Sequence, residues 1–276
     1  MKSVALAVVL VLGSLLLYVA LECPEFGDPG APASLHVSPY YIENSMADTA
    51  VPNIVTAILA DYRGFDTLFE TSVIFTAGLA CFFLLRTVRR RVSETRLYRH
   101  IPTDITIRIE KDGRLPRTSA EFERIDSVWV PYDLIIHITS RLIVPFIQLF
   151  ALYVIAHGHH SPGGGFQGGV ILGAAVILFA LCNNLRMTIR RFSEKTNALL
   201  CSLGVVIYAG TGVVCMLLGS NFLDYGALAG LLGVDRIMAR SHGIMMVEIG
   251  VAIAVTGVMV WIYYNLSSAG RQDEGL

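Results

Sequence analysis

Long apolar runs separated by short polar segments dominate the chain, and this pattern predicts a membrane protein. A helix needs about 20 mostly apolar residues to cross the hydrocarbon core of a bilayer. Six runs reach or approach that length, at residues 4–21, 67–85, 134–156, 168–185, 198–219 and 244–264. The sequence therefore predicts an all-α fold, a polytopic bundle of about six transmembrane helices.

The first apolar run has an alternative interpretation as a cleaved signal peptide, because Lys2 precedes it. No small-x-small cleavage pattern follows the run, and Glu22 precedes Cys23 where a lipoprotein signal would have a small residue. These residues favour an uncleaved helix as the first span, with the signal peptide as the alternative.

Composition agrees with a bilayer location and narrows the range of functions. The chain is 54% hydrophobic and 16% charged, whereas soluble domains are about 25% charged. The net charge of -1 points to no particular partner, and no nucleic-acid partner is expected. The chain shows no P-loop, dinucleotide fingerprint, nucleophile elbow, HExxH or CxxC pattern. We therefore expect no cofactor and no enzyme acting alone.

Basic residues concentrate on one side of this predicted topology. That side holds Lys2, Arg86, Arg89, Arg90, Arg91, Arg96, Arg99, Arg186, Arg190, Arg191, Lys195 and Arg271. The opposite connections hold only Arg63, Arg236 and Arg240. Because Lys and Arg accumulate on the cytoplasmic side of membrane proteins, both termini are predicted to be cytoplasmic, with the chain in the cell's inner membrane.

The spans fall into two groups, two before a polar stretch and four after it. The predicted division is a two-span lobe at 1–91, a cytoplasmic linker at 92–130, a four-span domain at 131–266 and a cytoplasmic tail at 267–276. In the linker, Ile105, Ile107 and Ile109 alternate with polar residues before a turn signal at 111–113. This alternation predicts a small hairpin between the lobes.

The connection between the first two spans contains two kinds of sequence. Residues 23–53 are rich in Pro, Gly, Ala and Ser, without helical periodicity, and are predicted to be irregular. Residues 53–60 predict a short apolar helix that cannot span, and that is either re-entrant or interfacial.

Glu248, within the last predicted span, is the first candidate for function. A charged group at a helix centre costs about 2.5–3.5 kcal/mol on insertion scales, so such residues are usually functional. Desolvation favours the neutral form of a carboxyl group, which suits a proton relay. The alternative is a buried Glu that serves packing alone.

A second group of charges precedes and enters the second span, in DYRGFDTLFE. Asp66 and Glu70 are spaced i,i+4 and share a helix face. Asp66 could cap the helix start, and Arg63 could neutralise a carboxylate. Together with Asp61 these residues are ion-path candidates, and the alternative is a surface salt-bridge cluster that ends a helix.

Three histidines, His157, His159 and His160, follow the third span. Imidazoles at a membrane boundary could pass protons. A metal site is disfavoured, because no acidic or Cys partner lies nearby in the sequence. A solvated loop is the simplest interpretation.

The glycines after these histidines predict close helix packing. Pro162 ends the preceding helix, and Gly163, Gly164 and Gly165 form a tight turn. Gly165, Gly169 and Gly173 then recur every fourth residue on one face of the next helix, the small-xxx-small pattern of packed membrane helices.

The segment GHHSPGGGFQGG, residues 158–169, resembles the turn that marks the B subunit of Mrp-type multisubunit cation/proton antiporters, the MnhB family. Glu248, Ile249, Gly250 and Val251 also match that family's pattern. This resemblance covers about residues 131–266.

The first lobe resembles the C-terminal part of the large A subunit of the same antiporters, through residues 61–70. In membrane-bound hydrogenases this piece is a separate small subunit. Phe69 stands where the family usually has Gly, which implies a difference in local packing. The chain would then be a fusion of the two pieces.

Together the two resemblances imply a subunit of a large membrane complex that exchanges Na+ for H+, without a cofactor of its own. The complex is either a stand-alone antiporter or the ion-pumping module of a hydrogenase-like redox complex. Its expected partners are other antiporter-type subunits, Na+, H+ and lipid, with Glu70 and Glu248 along the ion path. A purely structural subunit and a metal-dependent membrane enzyme are the alternatives.

Overall fold

The computed structural model describes residues 2–87, 96–109, 121–124, 134–183 and 185–268. Its helices are α1 (Lys2–Ala20), α2 (Ser38–Thr49), α3 (Ile54–Ala57), α4 (Gly64–Thr87), α5 (Leu134–Ala156), α6 (Gly165–Asn183), α7 (Leu185–Arg191), α8 (Glu194–Leu217), α9 (Ala229–Leu232) and α10 (Arg236–Ser267). Within the described residues, six helices are long and apolar enough to cross a membrane: α1, α4, α5, α6, α8 and α10. The predicted fold class, a polytopic helix bundle, is confirmed.

Helix α10 is the centre of the bundle. It packs against α8, α6 and α4, and 72% of its most apolar stretch is buried, compared with 33% for α6 and α8. Such a helix is apolar on all sides because it has neighbours on all sides. It therefore carries Glu248 into the interior of the protein.

Glycines allow α6 to approach α10 closely. A Cβ atom on Gly165 would collide with the Glu248 carbonyl oxygen, and one on Gly169 would lie 2.8 Å from the Ala252 oxygen. One turn further along, a Cβ on Gly173 would lie 3.0 Å from Met259 Cβ. The predicted glycine face thus lies directly on α10.

Helix α8 packs on a different face of α10, again through small residues. A Cβ on Gly204 would collide with the Gly250 oxygen and with the backbone of Ala254, and one on Gly257 would meet Cys201. Small residues on both helices therefore allow the close α8–α10 contact, whereas the glycine row of α6 allows the close α6–α10 contact.

Helix α10 begins at Arg236, well before the predicted start at 244. Asp235 caps it by accepting a hydrogen bond from the Met238 N–H. Arg236 and Arg240 therefore lie in the first turns of the helix, and the prediction that they lie in a loop is wrong. Hydropathy misses these turns because they contain charged residues. The helix accommodates the charges through ion pairs of Arg236 with Asp224 and of Arg240 with Asp61.

The prediction of an irregular segment at 23–53 is wrong for its second half. Ala33–Val37 forms a π-helical turn that leads directly into α2. Pro39 stands in the first turn of α2, where proline starts a helix instead of breaking it. Helix α2 packs on α10, which compensates for its weak apolar pattern.

The short helix predicted at 53–60 forms as α3, which Asn53 caps, and continues as a π-helical turn at Ile58–Tyr62. Its buried residues are Thr56, Ala57 and Ala60. The chain then turns at Arg63 and starts α4. The two-span lobe therefore places a broken helix next to α10, formed by α3, the turn at Ile58–Tyr62 and α4.

The linker contains a small antiparallel sheet, with strands β1 (Arg96–His100), β2 (Thr106–Ile109) and β3 (Phe122–Arg124) in the order β2-β1-β3. Within the predicted hairpin, Thr106–Ile109 forms a strand, and it pairs with the preceding β1, so that Tyr98 lies opposite Ile107. The turn signal at 111–113 lies outside the described residues. The β1–β2 turn instead contains Asp104, which adopts a positive φ of 57°.

Candidate functional site

Glu248 and His159 form the most buried ionisable pair that the structure describes. Glu248 is 8% exposed and His159 is 6% exposed. His159 Nδ1 lies 3.6 Å from Glu248 Oε2, and His159 Nε2 lies 3.0 Å from the Ser241 carbonyl oxygen. No described residue makes a hydrogen bond to Glu248 Oε2 or to His159 Nδ1. A carboxyl and an imidazole exchange a proton at a separation of about 2.6–3.2 Å, so a small approach brings this pair within transfer distance.

The environment of His159 favours its protonated form. Burial lowers the pKa of this imidazole, but the Glu248 carboxylate and the Ser241 carbonyl outweigh burial and raise that pKa above its usual value. Because the carbonyl accepts from Nε2, this nitrogen keeps its proton in both forms of the ring. Nδ1, which faces the carboxylate, is the nitrogen that gains and loses a proton.

The turn between α5 and α6 presents His159 to α10. Gly163 and Gly164 have φ values of 154° and 127°, in a region that side chains other than glycine rarely occupy. A Cβ on Gly164 would lie 2.6 Å from Glu248 Oε1. Gly164 therefore lets the backbone pass the carboxylate directly, and Gly163 lets it pass Val154.

Glu70 and Glu248 line the same cavity, of about 490 Å³, although they are far apart in the sequence. Its other polar lining comes from Thr56, Thr67, Thr71 and Gln167. Val55, Leu59, Val73, Ile74, Phe166 and Val251 supply most of the apolar lining. Glu70 itself is exposed at the edge of α4. The structure thus brings together the two carboxylates that sequence analysis selected.

Asp61 belongs to a separate ion-pair network beside the site. Its carboxylate is 5% exposed and pairs with Arg240 of α10. Burial raises the pKa of Asp61 above its usual value even though Arg240 opposes this shift. The Arg240 guanidinium also lies 5.8 Å from the centre of the Tyr62 ring, whose hydroxyl donates to Asp48 at 2.6 Å. This network joins the two lobes.

Asp66 and Arg63 pair with each other at the surface. Helix α4 begins at Gly64, so Asp66 lies inside its first turn and does not cap it as expected. Thr67 instead bonds back, its hydroxyl donating to the Leu59 oxygen at 2.7 Å. Of the DYRGFDTLFE charges, Glu70 alone lines the cavity.

The three histidines have different surroundings. His157 stacks on Tyr153 at 4.9 Å and lies 5.6 Å from His160, which is exposed. Only His159 of the three turns inward to Glu248. Among the described residues no group of three His, Cys, Asp or Glu side chains could hold a metal ion.

Sequence analysis missed two residues of the site, Arg240 and Asn53. Arg240 lies 179 positions from Asp61, and Asn53 donates to the Gly158 and Ser161 carbonyls more than a hundred positions away. A charge in the first turns of an apolar run was the available signal for Arg240. Asn53 stood out only as the first residue of the predicted short helix at 53–60.

Fold and site together define a multi-pass membrane protein with a buried carboxylate–imidazole pair. Residues 135–261 match the family described as a domain related to the MnhB subunit of Na+/H+ antiporters, and residues 4–99 match MbhE, the E subunit of MBH. The chain therefore contains one region similar to MbhE and one similar to MnhB, which confirms both resemblances.

Two curated relatives show how these parts occur elsewhere. A probable K(+)/H(+) antiporter A/B subunit of Rhizobium meliloti (strain 1021) is 27% identical over 84% of this chain, which spans 22% of that relative. The putative antiporter subunit mnhB2 of Staphylococcus aureus (strain Newman) is 29% identical over 49% of this chain and 94% of its own length. The first relative contains both parts inside a much longer protein, and the second contains the MnhB part.

Two solved structures share the fold. One chain of the Mrp complex from Dietzia sp. DQ12-45-1b is 25% identical with a TM-score of 0.55, and the match covers 98% of this protein and 26% of that chain. One chain of the membrane-bound sulfane sulfur reductase, an archaeal respiratory membrane complex, has a TM-score of 0.54 at 24% identity, with 94% and 97% covered. The second match shows that the same two-part fold also occurs as one chain of similar length.

Proposed function

We propose that this chain is a subunit of a monovalent cation/proton antiporter module, and that Glu248 and His159 form its proton-exchanging pair. The observation that carries the proposal is the buried Glu248 carboxylate, 3.6 Å from an imidazole and on the wall of the cavity that Glu70 also lines. A charged group at the centre of a membrane helix is costly, and such residues are therefore usually functional. His159 comes from the loop before α6 and Glu70 comes from α4, so both lobes contribute to the site.

The proposed organisation follows the two matched regions. Residues 1–91 form the MbhE-type lobe, 92–130 the linker, 131–266 the MnhB-type domain and 267–276 the tail. The basic connections support cytoplasmic termini and a linker on the cytoplasmic side of the inner membrane. The exposed apolar faces of α1 and α5 supply surface for lipid and for other antiporter-type subunits. In this role the chain moves ions and is not itself an enzyme.

Either Na+ or K+ is the cation that exchanges for protons. The sequence resemblance favours Na+, whereas the name of the Rhizobium meliloti relative includes K+. Carboxylate and hydroxyl oxygens of Glu70, Glu248, Thr67 and Thr71 are hard ligands that suit both cations. The complex that contains this chain is a stand-alone antiporter or the ion-pumping module of a redox complex.

Cation-dependent proton flux tests the proposal in inverted membrane vesicles that contain the complete complex. Glu248→Gln keeps the shape of the side chain and removes its ionisation, so flux driven by Na+ or K+ should fall about a hundredfold, the lower range for a positioned proton-transfer group. Glu43→Gln changes an exposed carboxylate on α2 and serves as the matched control. Wild-type flux in Glu248→Gln, with the complex intact, would contradict the proposal.

The second candidate is a purely structural subunit, and the close contacts of α10 with α6 and α8 favour it. Such a protein holds its neighbours in place, so it would lose assembly when a glycine contact is filled and keep transport when Glu248 is neutralised. The vesicle experiment separates the two candidates because it measures flux and complex content in the same preparation.

A further inference from the structure

Asn53, in the two-span lobe, makes an unusual set of contacts with the turn that carries His159. Its side-chain amide donates to the carbonyl oxygens of Gly158 and Ser161, both at 2.8 Å. Its backbone N–H donates to the His159 oxygen at 2.9 Å. Its own side-chain oxygen accepts from the Val55 N–H and caps α3. One residue therefore binds three carbonyls of a loop in the other lobe.

Thr56, one turn further along, reinforces this contact. Its buried hydroxyl donates to the Gly158 oxygen at 2.9 Å and lies 3.1 Å from the Asn53 amide. Gly158, His159 and Ser161 lie in the loop between α5 and α6, beyond the regular hydrogen bonds of either helix. Helix α3 supplies partners for their carbonyls, and so fixes the backbone on both sides of the His159 side chain.

We propose that Asn53 is a positioning residue for the proton-exchanging pair, setting the distance between His159 and Glu248 from the opposite lobe. The inference rests on the proposed function, because it concerns the same pair. Asn53 does not line the cavity that Glu70 and Glu248 share. It acts through the Gly158–Ser161 backbone, which holds the imidazole between the Ser241 oxygen and the carboxylate.

The pH dependence of transport reports this positioning. The carboxylate at 3.6 Å from His159 is Glu248 on α10, while Glu70 on α4 lines the adjoining cavity and Asp61 is paired with Arg240. On the loop itself, His157 and His160 lie beside each other and Tyr153. A loop released from Asn53 would withdraw His159 from Glu248 and Ser241. The pKa of His159 would then fall back towards its usual value.

Asn53→Ser is the sharpest test, because serine caps a helix about as well as asparagine but lacks the amide donors. Flux should decline at alkaline pH as His159 loses its proton. We expect this decline to begin at lower pH in Asn53→Ser than in wild type, with about a tenfold loss at alkaline pH. Asn44→Ser is the matched control, since that amide bonds within α2 to the Tyr40 oxygen. An even reduction at every pH, or a profile like that of Asn44→Ser, would overturn the proposal.

A double variant tests the route of the effect. In a His159→Gln background, Asn53→Ser should cause no further loss, because the residue through which it acts is gone. Independent, additive losses would show that Asn53 acts elsewhere. If Asn53→Ser prevents assembly, Thr56→Val decides: removal of one hydroxyl donor should give a smaller shift in the same direction, and an unchanged profile would overturn the proposal.

A chemical readout keeps this proposal separable from the proposed function. Diethyl pyrocarbonate modification of His159, resolved by peptide mass spectrometry in the intact complex, requires no transport. Because His159 is buried, it should react slowly in wild type and in Asn44→Ser, and about tenfold faster in Asn53→Ser. Equal rates would contradict the role of Asn53 even where Glu248→Gln abolishes flux. Faster reaction in a complex without cation-dependent flux would contradict the proposed function alone.

Discussion

Glu248 and Glu70 are both carboxylates in apolar helices, but their surroundings suit them to different roles in the proposed ion path. Glu248 is buried beside His159, whereas Glu70 is exposed at the edge of the same cavity. A buried acid with an imidazole neighbour suits proton exchange, and an accessible carboxylate suits the entry of a cation. This division follows from burial and from one distance of 3.6 Å.

At this scale the imidazole is the group to change. The pKa of His159 is raised above its usual value. The ring therefore keeps its proton as the pH rises past the pKa of a free histidine, and loses it only at more alkaline pH. His159→Gln should lower flux by about a hundredfold and abolish the decline in flux at alkaline pH that we expect from deprotonation of His159. The exposed His36 provides the control substitution, His36→Gln. A His159→Gln profile with the wild-type alkaline limb would show that another group titrates there.

At the scale of elements, the position of Glu248 depends on the contact between α6 and α10. Gly165 lies against the backbone of Glu248 itself, so anything that separates the helices there also moves the carboxylate. The glycine row therefore has two consequences, close packing and the placement of an ionisable group. Helix α8 holds the other side of α10 in the same way through Gly204.

Two glycine-to-alanine changes distinguish this contact from a general effect of glycine. Gly165→Ala puts a methyl group against the Glu248 carbonyl and should cost about 1–3 kcal/mol through overpacking. Gly210→Ala on α8 meets nothing within 4 Å and should be neutral or stabilising. The fraction of complex that stays assembled on heating in detergent measures the stability of both variants. Equal stability of the two variants would refute the close-packing account.

The sequence predicted the elements well wherever hydropathy alone decides them. All six spans, the short helix after residue 53 and the strand at 106–109 could be predicted, and the glycine spacing indicated the packed face of α6. Helix α2 and the first turns of α10 could not be predicted, because their stability comes from packing and from ion pairs with distant residues. In the site, the two carboxylates were identifiable by their cost in lipid. Asn53 and Arg240 were not, since only the fold reveals their partners.

On the scale of the whole molecule, the two lobes are held together by specific polar contacts. Asp61 pairs with Arg240, the Tyr208 hydroxyl donates to the Gly64 oxygen at 2.8 Å, and the Tyr225 hydroxyl donates to the Ala60 oxygen at 2.9 Å. Each contact joins the broken helix of the first lobe to the four-span domain. The cavity between Glu70 and Glu248 is therefore a product of both lobes.

The Asp61–Arg240 pair offers a test of this joint structure. Arg240→Gln leaves a buried carboxylate without its partner, which should cost about 3–5 kcal/mol and lower the thermal stability of the complex. The double variant Arg240→Gln/Asp61→Asn removes both charges and should recover most of that loss. Arg236→Gln breaks an exposed pair with Asp224 and should cost about 1 kcal/mol or less. A double variant no more stable than Arg240→Gln would show that the ion pair does not join the lobes.

The most direct measurement of the central claim is cation-dependent proton flux for Glu70→Gln, Glu248→Gln and the double variant, each in vesicles with equal content of intact complex. If both carboxylates lie on one ion path, each single change should lower flux by about tenfold or more. The flux of the double variant should then equal that of the less active single variant. Wild-type flux in both single variants would contradict the account and leave this protein with a structural role only.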